Sequence, residues 1–198
     1  MKLLIATHNP AKSAEFKKLM AGWPFQIVGL TDLGIKNDVE ENGETFEENA
    51  LLKADYFHKL TELATLADDG GMEIDALNGE PGVKSRRWRG YKMSDQEMVD
   101  YTLERLRGVQ PEKRTARMKV VLCLKMLNQK PLFAKAAIEG VITEKQESPI
   151  TEGYPFRSIL FISKLNKMFA DLTDEEHAKY SQRADALRKL KRQLGRRR

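Results

Sequence analysis

The 198-residue chain holds one cysteine, three histidines, and no apolar run approaching the roughly 20 residues that a membrane helix needs. A single cysteine excludes a disulfide scaffold. Cys123, set in the apolar run Val120-Val121-Leu122-Cys123-Leu124, reads as a small core side chain. His8, His58 and His177 have no metal-ligand spacing with one another, and so few histidines leave no Ser–His–Asp or Cys–His arrangement to propose. The opening apolar run is too short for a signal peptide, so a cytoplasmic protein without a membrane segment is expected. Walker glycines, internal repeats and low-complexity linkers are also missing, and nothing marks a clean domain boundary.

What is present is enough apolar sequence for a core, 41%, in a chain that is 32% charged. The formal charge is +5, but Arg188, Lys189, Lys191, Arg192, Arg196, Arg197 and Arg198 crowd the end of the chain with no acidic residue among them. Residues 1–187 therefore hold 27 basic and 29 acidic groups, a net of −2. The basic stretch 188–198 is either a helix end whose cations complement the dipole or a source of nucleic-acid phosphate contacts. It lacks interleaved aromatics and any recognition motif, which argues against nucleic-acid binding.

Leu3 to Thr7 reads as a buried strand, and Asn9-Pro10 as the cap and first residue of a helix. A second strand is expected from Gln26 to Leu30, then a polar loop from Asp32 to Gly43. Thr45-Phe46-Glu47-Glu48 is a capping box for a helix to about Leu63. A strand from Leu63 to Ala67 should then end at Asp68-Asp69-Gly70-Gly71. Ser94-Asp95-Gln96-Glu97 caps a helix to about Arg107. Arg117 to Leu127 and Leu132 to Ile142 read as two long strands able to form a hairpin. Ser158 to Ile162 is a short strand, and Thr173-Asp174-Glu175-Glu176 caps one last helix with Leu187, Leu190 and Leu194 on one face. The fold class is α/β.

Three groups of residues could carry chemistry. Thr7-His8-Asn9-Pro10-Ala11-Lys12 brings a strand to a helix N-terminus, where amides, dipole and Lys12 suit a phosphate; alternatively Asn9 is only a cap and Lys12 is solvated. Glu40-Glu41 and Asp68-Asp69 are oxygen donors of the kind magnesium takes together with substrate phosphates, although a loop pair such as Glu40-Glu41 is often merely solvated. Only one of these two adjacent aspartates, set after an apolar strand and before two glycines, can point each way, so one can bind metal or activate water while its neighbour braces the turn. Lys53, Arg86, Arg87, Lys167 and Arg183 matter only if they converge.

Together these segments resemble the inosine/xanthosine triphosphate pyrophosphatase family, over nearly the whole chain. The matching stretches are Ala6-Thr7-x-Asn9-x-x-Lys12, Glu40-Glu41-x-Gly43-x-Thr45-Phe46-x-Glu48-Asn49-Ala50, Lys53-Ala54 and Ala67-Asp68-Asp69-x-Gly71. Asp75-Ala76-Leu77-x-Gly79-x-Pro81-Gly82-Val83-x-Ser85-x-Arg87, Phe169-Ala170-Asp171-Leu172-Thr173 and Ser181-x-Arg183 continue the likeness. The resemblance implies a mixed, elongated central β-sheet with flanking helices, forming two lobes of a single domain, 1–198, around a nucleotide cleft. It also implies hydrolysis of non-standard purine nucleoside triphosphates (dITP, ITP or XTP) to monophosphate and pyrophosphate, a Mg²⁺ requirement and a homodimer.

Carried over by position, Thr7, His8, Asn9 and Lys12 would grip the triphosphate, Lys53 would contact phosphate, and Glu40 and Asp69 would bind Mg²⁺, with Glu41 as a substitute for Glu40. Asp69 would accept the proton of the attacking water, and Arg183 would read the base. Departures from the family pattern are Gly70 in place of a serine near the phosphates, and Arg157, His177 and Gln182 around the base, where Tyr154 can stack on a purine. Arg157 stands where the family has an aspartate. Either the base preference is shifted from plain inosine or xanthosine, or neighbouring residues compensate. A nucleotide-binding protein of the same fold with reduced catalysis is the alternative.

Overall fold

Leu3, Leu4 and Ile5 are all buried, as a strand flanked by parallel neighbours on both edges requires. They form β1 (Lys2–Ile5), which pairs in parallel with β2 (Gln26–Gly29) and with β3 (Ala64–Ile74). The computed structural model describes residues 1–196; Arg197 and Arg198 of the basic stretch lie outside the described residues.

Between β1 and β2 runs α1 (Pro10–Leu19), capped by Asn9 with proline in its first turn. α2 (Phe46–Thr61) and α3 (Asp95–Arg105) begin at complete capping boxes, Thr45 with Glu48 and Ser94 with Glu97. β4 (Thr115–Lys125) and β5 (Leu132–Ile142) are sheet neighbours joined by a short turn. β6 (Leu160–Ile162) and β7 (Lys167–Met168) extend the sheet in antiparallel pairing, giving seven strands in the order β2-β1-β3-β4-β5-β6-β7. The chain ends with α4 (Asp174–Tyr180) and α5 (Gln182–Gly195).

Three expectations need correction. β3 does not end at Asp68-Asp69-Gly70-Gly71 but runs through it to Ile74, since these glycines stay extended and the ladder passes from one neighbour to the next. Pairing with β1 does stop at Leu66, so the two aspartates lie just past the end of β1. The last helix is two helices: Ser181 is extended (φ −64°, ψ 149°) and its N–H closes α4 on the His177 carbonyl, which lets α5 start afresh at Gln182. Ser158 belongs to a 3₁₀ turn, Pro155–Ser158, and the strand begins at Leu160.

The chain divides into two compact units. The first comprises Met1–Asp69, Val120–Ala136 and the chain from Arg183 onward; its core includes Ile5, Phe16, Leu66, Leu122, Leu187 and Leu190. Lys189 and Gln193 donate to the carbonyls of Lys135 and Phe133 (both 2.9 Å), so part of the basic stretch is tied down as a helix face. The second unit comprises Gly70–Lys119 and Ala137–Gln182, around Met72, Ile74, Val99, Ile138, Leu160 and Phe169. Cys123 is fully buried, and burial pushes its thiol up to about 12, as befits a core residue. Among the described residues no helix is long and apolar enough to cross a membrane.

Candidate active site

Strand alternation sends the two aspartates of β3 to different partners. Asp68 is 2% exposed, and its Oδ2 accepts a hydrogen bond from Arg183 Nη2 (3.0 Å) and lies 3.1 Å from Lys12 Nζ. Burial alone would raise its pKa, but Lys12, Arg183 and Lys53 outweigh burial and hold it well below the usual carboxylate range. Arg183 also donates through Nη1 to Glu15 Oε2 (2.8 Å), and its guanidinium carbon sits 5.2 Å from the Phe16 ring centroid. Lys12, Glu15 and Phe16 share one face of α1 by their i, i+3, i+4 spacing, so a single helix face supplies a cation to Asp68 and a carboxylate and a ring to Arg183.

Asp69 meets a different set. Its Oδ1 is 3.8 Å from Lys53 Nζ, which in turn donates to Glu41 Oε2 at 2.9 Å. Burial pushes the Asp69 pKa up to about 6; the Glu41 charge adds to the rise, while Lys53, Lys12 and Asn49 oppose it. Lys53 is itself buried, which lowers its pKa, yet Asp69, Glu41 and Asp68 more than compensate and keep it charged. Asp69 Oδ2 is buried and makes no hydrogen bond.

Glu41 is brought there by a close approach of chain segments. Asn49 in the first turn of α2 accepts from the Gly43 N–H (2.8 Å), and a Cβ on Gly43 would lie 2.7 Å from both Asn49 Oδ1 and Glu48 Cβ. Glycine is needed at that crossing. Glu40, the first choice for a metal ligand, is exposed, whereas Glu41 faces Lys53.

These residues fit a divalent cation. An unpartnered buried carboxylate oxygen beside a second carboxylate is a repulsive arrangement that a cation relieves. A hard divalent ion that takes one or two carboxylates and completes its shell with phosphates and water needs no larger set of acidic side chains than this pair.

At the start of α1 the capping reading holds: Asn9 Oδ1 accepts from the N–H groups of Ala11 (2.9 Å) and Lys12 (3.2 Å), and Thr7 Oγ1 from that of Asn9 (3.2 Å). The exposed His8 bonds through Nε2 to the Asn37 carbonyl (2.6 Å). Lys12 is thus the group of this segment whose charge reaches the aspartates. In the second unit Arg157 is 7% exposed, with its guanidinium carbon 3.7 Å from the Tyr154 ring centroid and 5.0 Å from that of Phe169. His177 lies against Phe169 at 5.3 Å. Gln182 is 2% exposed, and its Oε1 makes no hydrogen bond. Gly70 is an extended residue of β3. Of the remaining cations, Arg86 pairs with Asp95 (2.5 Å) and Lys167 with Glu176 (2.7 Å), while Arg87 is exposed.

Sequence reasoning missed Glu15 and did not single out Asn49. The signal for Glu15 was its place one turn after Lys12 on a capped helix. Asn49 was quoted only as part of a motif, and its role depends on which loop residue crosses it.

The Ham1 family model matches residues 3–193. A dITP/XTP pyrophosphatase of Thermoanaerobacter sp. (strain X514) is 40% identical over 191 residues, 96% of this chain and 95% of the relative. One of Bacillus subtilis (strain 168) is 37% identical over 96% of both chains. The solved structure of the Staphylococcus aureus Ham1 protein superimposes with a TM-score of 0.85 at 31% identity, covering 100% of each chain. That of a Coxiella burnetii HAM1 protein gives 0.85 at 31% identity and 99% coverage of each. With the family pattern running through both units and matched end to end by such relatives, this chain belongs to the Ham1 family.

Proposed function

We propose that this chain hydrolyses non-standard purine nucleoside triphosphates of the dITP and XTP type to the monophosphate and pyrophosphate. The observation that carries the reading is Asp69: a buried carboxylate with an unpartnered oxygen, 3.8 Å from the Lys53 ammonium and next to the Asp68 that holds Lys12. The activity named for its relatives supports the same reading.

Asp69 is the proton acceptor for the attacking water. With no metal bound, burial pushes its pKa up to about 6, so it is mostly ionised above that pH, and its unpartnered oxygen is open to a proton. The water oxygen bonds to the α-phosphorus, the bond from that phosphorus to the bridging oxygen breaks, and pyrophosphate leaves with the electron pair. The water proton passes to Asp69. Lys12 and Lys53 hold phosphate oxygens and favour the charge that builds on them. Asp69 with Glu41, or Glu40 as its alternative, would hold Mg²⁺, which supplies further charge neutralisation at the phosphates. A homodimer and a cytoplasmic location complete the reading.

A shift in base preference has its own observation. Arg157 is not solvated but lies over the Tyr154 ring, so one face of that ring is occupied by a guanidinium instead of open to a purine. Pyrophosphate release by the purified protein from dITP, ITP, XTP and the standard nucleotides, with Mg²⁺, tests both points. Release from the first three, abolished in Asp69→Asn, is expected. No release from any of them would sink the hydrolytic reading, and equal best turnover of dITP and XTP would sink the shifted preference.

A further inference from the structure

The Asp68 carboxylate is not needed for the chemistry assigned to Asp69, yet it is the more completely enclosed of the two. Its side chain is 1% exposed, Arg183's 5%, Glu15's 15% and Lys12's 22%. One oxygen, Oδ2, serves both Lys12 Nζ and Arg183 Nη2, while Glu15 takes the other end of the same guanidinium. Asp68 and the Arg183 guanidinium are the most enclosed of the four, and Lys12 is the most exposed, so the Asp68 carboxylate anchors both cations from the protein side.

A lysine on a four-carbon stem loses considerable rotamer freedom when it grips a phosphate, and an arginine held by two carboxylates loses little more. We infer that Asp68 is a positioning residue that holds the Lys12 ammonium and the Arg183 guanidinium through a single carboxylate oxygen, with Glu15 bracing Arg183, so that the two cations bind nucleotide as one unit. This rests on the function proposed above in taking Lys12 as a phosphate contact, and on the family resemblance in taking Arg183 as the residue that reads the base.

The inference makes an asymmetric demand: Asp68 acts through both cations, Glu15 through one. It is tested by calorimetric binding of inosine 5′-(α,β-imido)triphosphate with Mg²⁺, whose blocked bridge separates binding from turnover. Asp68→Asn should weaken binding about tenfold, and its effect should shrink to about twofold or less in a Lys12→Ala/Arg183→Gln background. Glu15→Gln should weaken binding about threefold, an effect kept in Lys12→Ala and lost in Arg183→Gln. If Asp68→Asn does not fold, the Glu15 series still decides.

With dITP as substrate, Asp68→Asn should act mainly on KM, with kcat changed by less than about threefold. Unchanged or tighter binding in a folded Asp68→Asn, or effects equal in every background, would overturn the inference. So would a fall in kcat alone, which would place Asp68 in the chemical step. Binding without pyrophosphate release by the unaltered protein would overturn the hydrolytic function and leave the positioning role standing. No binding at all would overturn both.

Discussion

On one face of β3 Asp68 is enclosed by Lys12 and Arg183, and on the other Asp69 faces Lys53 with Glu41 close behind. Both carboxylates are buried, and they are neighbours in the chain, yet one is held well below the usual carboxylate range and the other is pushed up to about 6. Burial acts in the same direction on both. The difference comes from what each face of the strand supplies: two cations drawn to one oxygen on the first, a cation already engaged by another carboxylate on the second. The first arrangement stores positive groups in fixed positions, and the second leaves an oxygen available for a proton or a cation.

The largest expected effect breaks the second face. Asp69→Asn should lower pyrophosphate release by about 10²–10⁴-fold, the usual worth of a positioned base, measured at saturating Mg²⁺ and dITP. Stability should separate the two faces more sharply than activity. Asp68→Asn leaves Lys12 and most of Arg183 without their shared anion and should cost about 3 kcal/mol in chemical denaturation, the low end for breaking a buried pair because Glu15 remains. Asp69→Asn removes a charge that the fold disfavours, so without metal at pH 8 it should melt above the unaltered protein. A lower melting point for Asp69→Asn would contradict the assigned environment.

The pH dependence follows from the same contrast. The folded chain holds the Asp69 proton more tightly than the unfolded one, so between about pH 4 and about pH 6 it binds more protons and loses stability from this residue as pH rises. Asp68 has the opposite sign: its contribution is present above about pH 4 and is lost as pH falls below that value. Metal-free melting curves of the unaltered protein and Asp69→Asn should therefore converge on acidification towards about pH 4 and separate above it. Adding Mg²⁺ at pH 8 should raise the melting point of the unaltered protein and move that of Asp69→Asn less, since one of the two opposed carboxylates is gone. The smallest effect expected is from removing residues 196–198, which should change pyrophosphate release by less than about twofold because the anchoring contacts of α5 come earlier, at Lys189 and Gln193.

Local signals were the legible part of the fold. The capping boxes at Thr45, Ser94 and Thr173, and the Asn9-Pro10 start, all open helices as expected, since a cap depends only on residues within one turn. The break at Ser181 was not legible because it has no glycine or proline to announce it. The continuation of β3 through Gly70 and Gly71 was hidden for the opposite reason: a glycine pair reads as a turn unless neighbouring strands hold it extended. In the site, Lys12, Lys53, Asp68, Asp69 and Arg183 could be chosen from the sequence, and they do come together in one unit. The choice between Glu40 and Glu41 could not be made there, because adjacent loop residues of the same type differ only in which way the loop turns.

The sequence by itself determined the kind of chemistry: carboxylates and lysines in separate motifs, one core cysteine, too few histidines for triads, and a positive charge confined to the chain end. That Asp68 and Asp69 part company by strand alternation followed only from the course of β3, which runs through them. Which of them is held well below the usual carboxylate range and which is pushed up was decided only by the tertiary structure. A carboxylate's proton affinity is set by the charges and solvent around it, and Arg183, 115 residues away in the chain, reaches Asp68 only when α5 lies against α1.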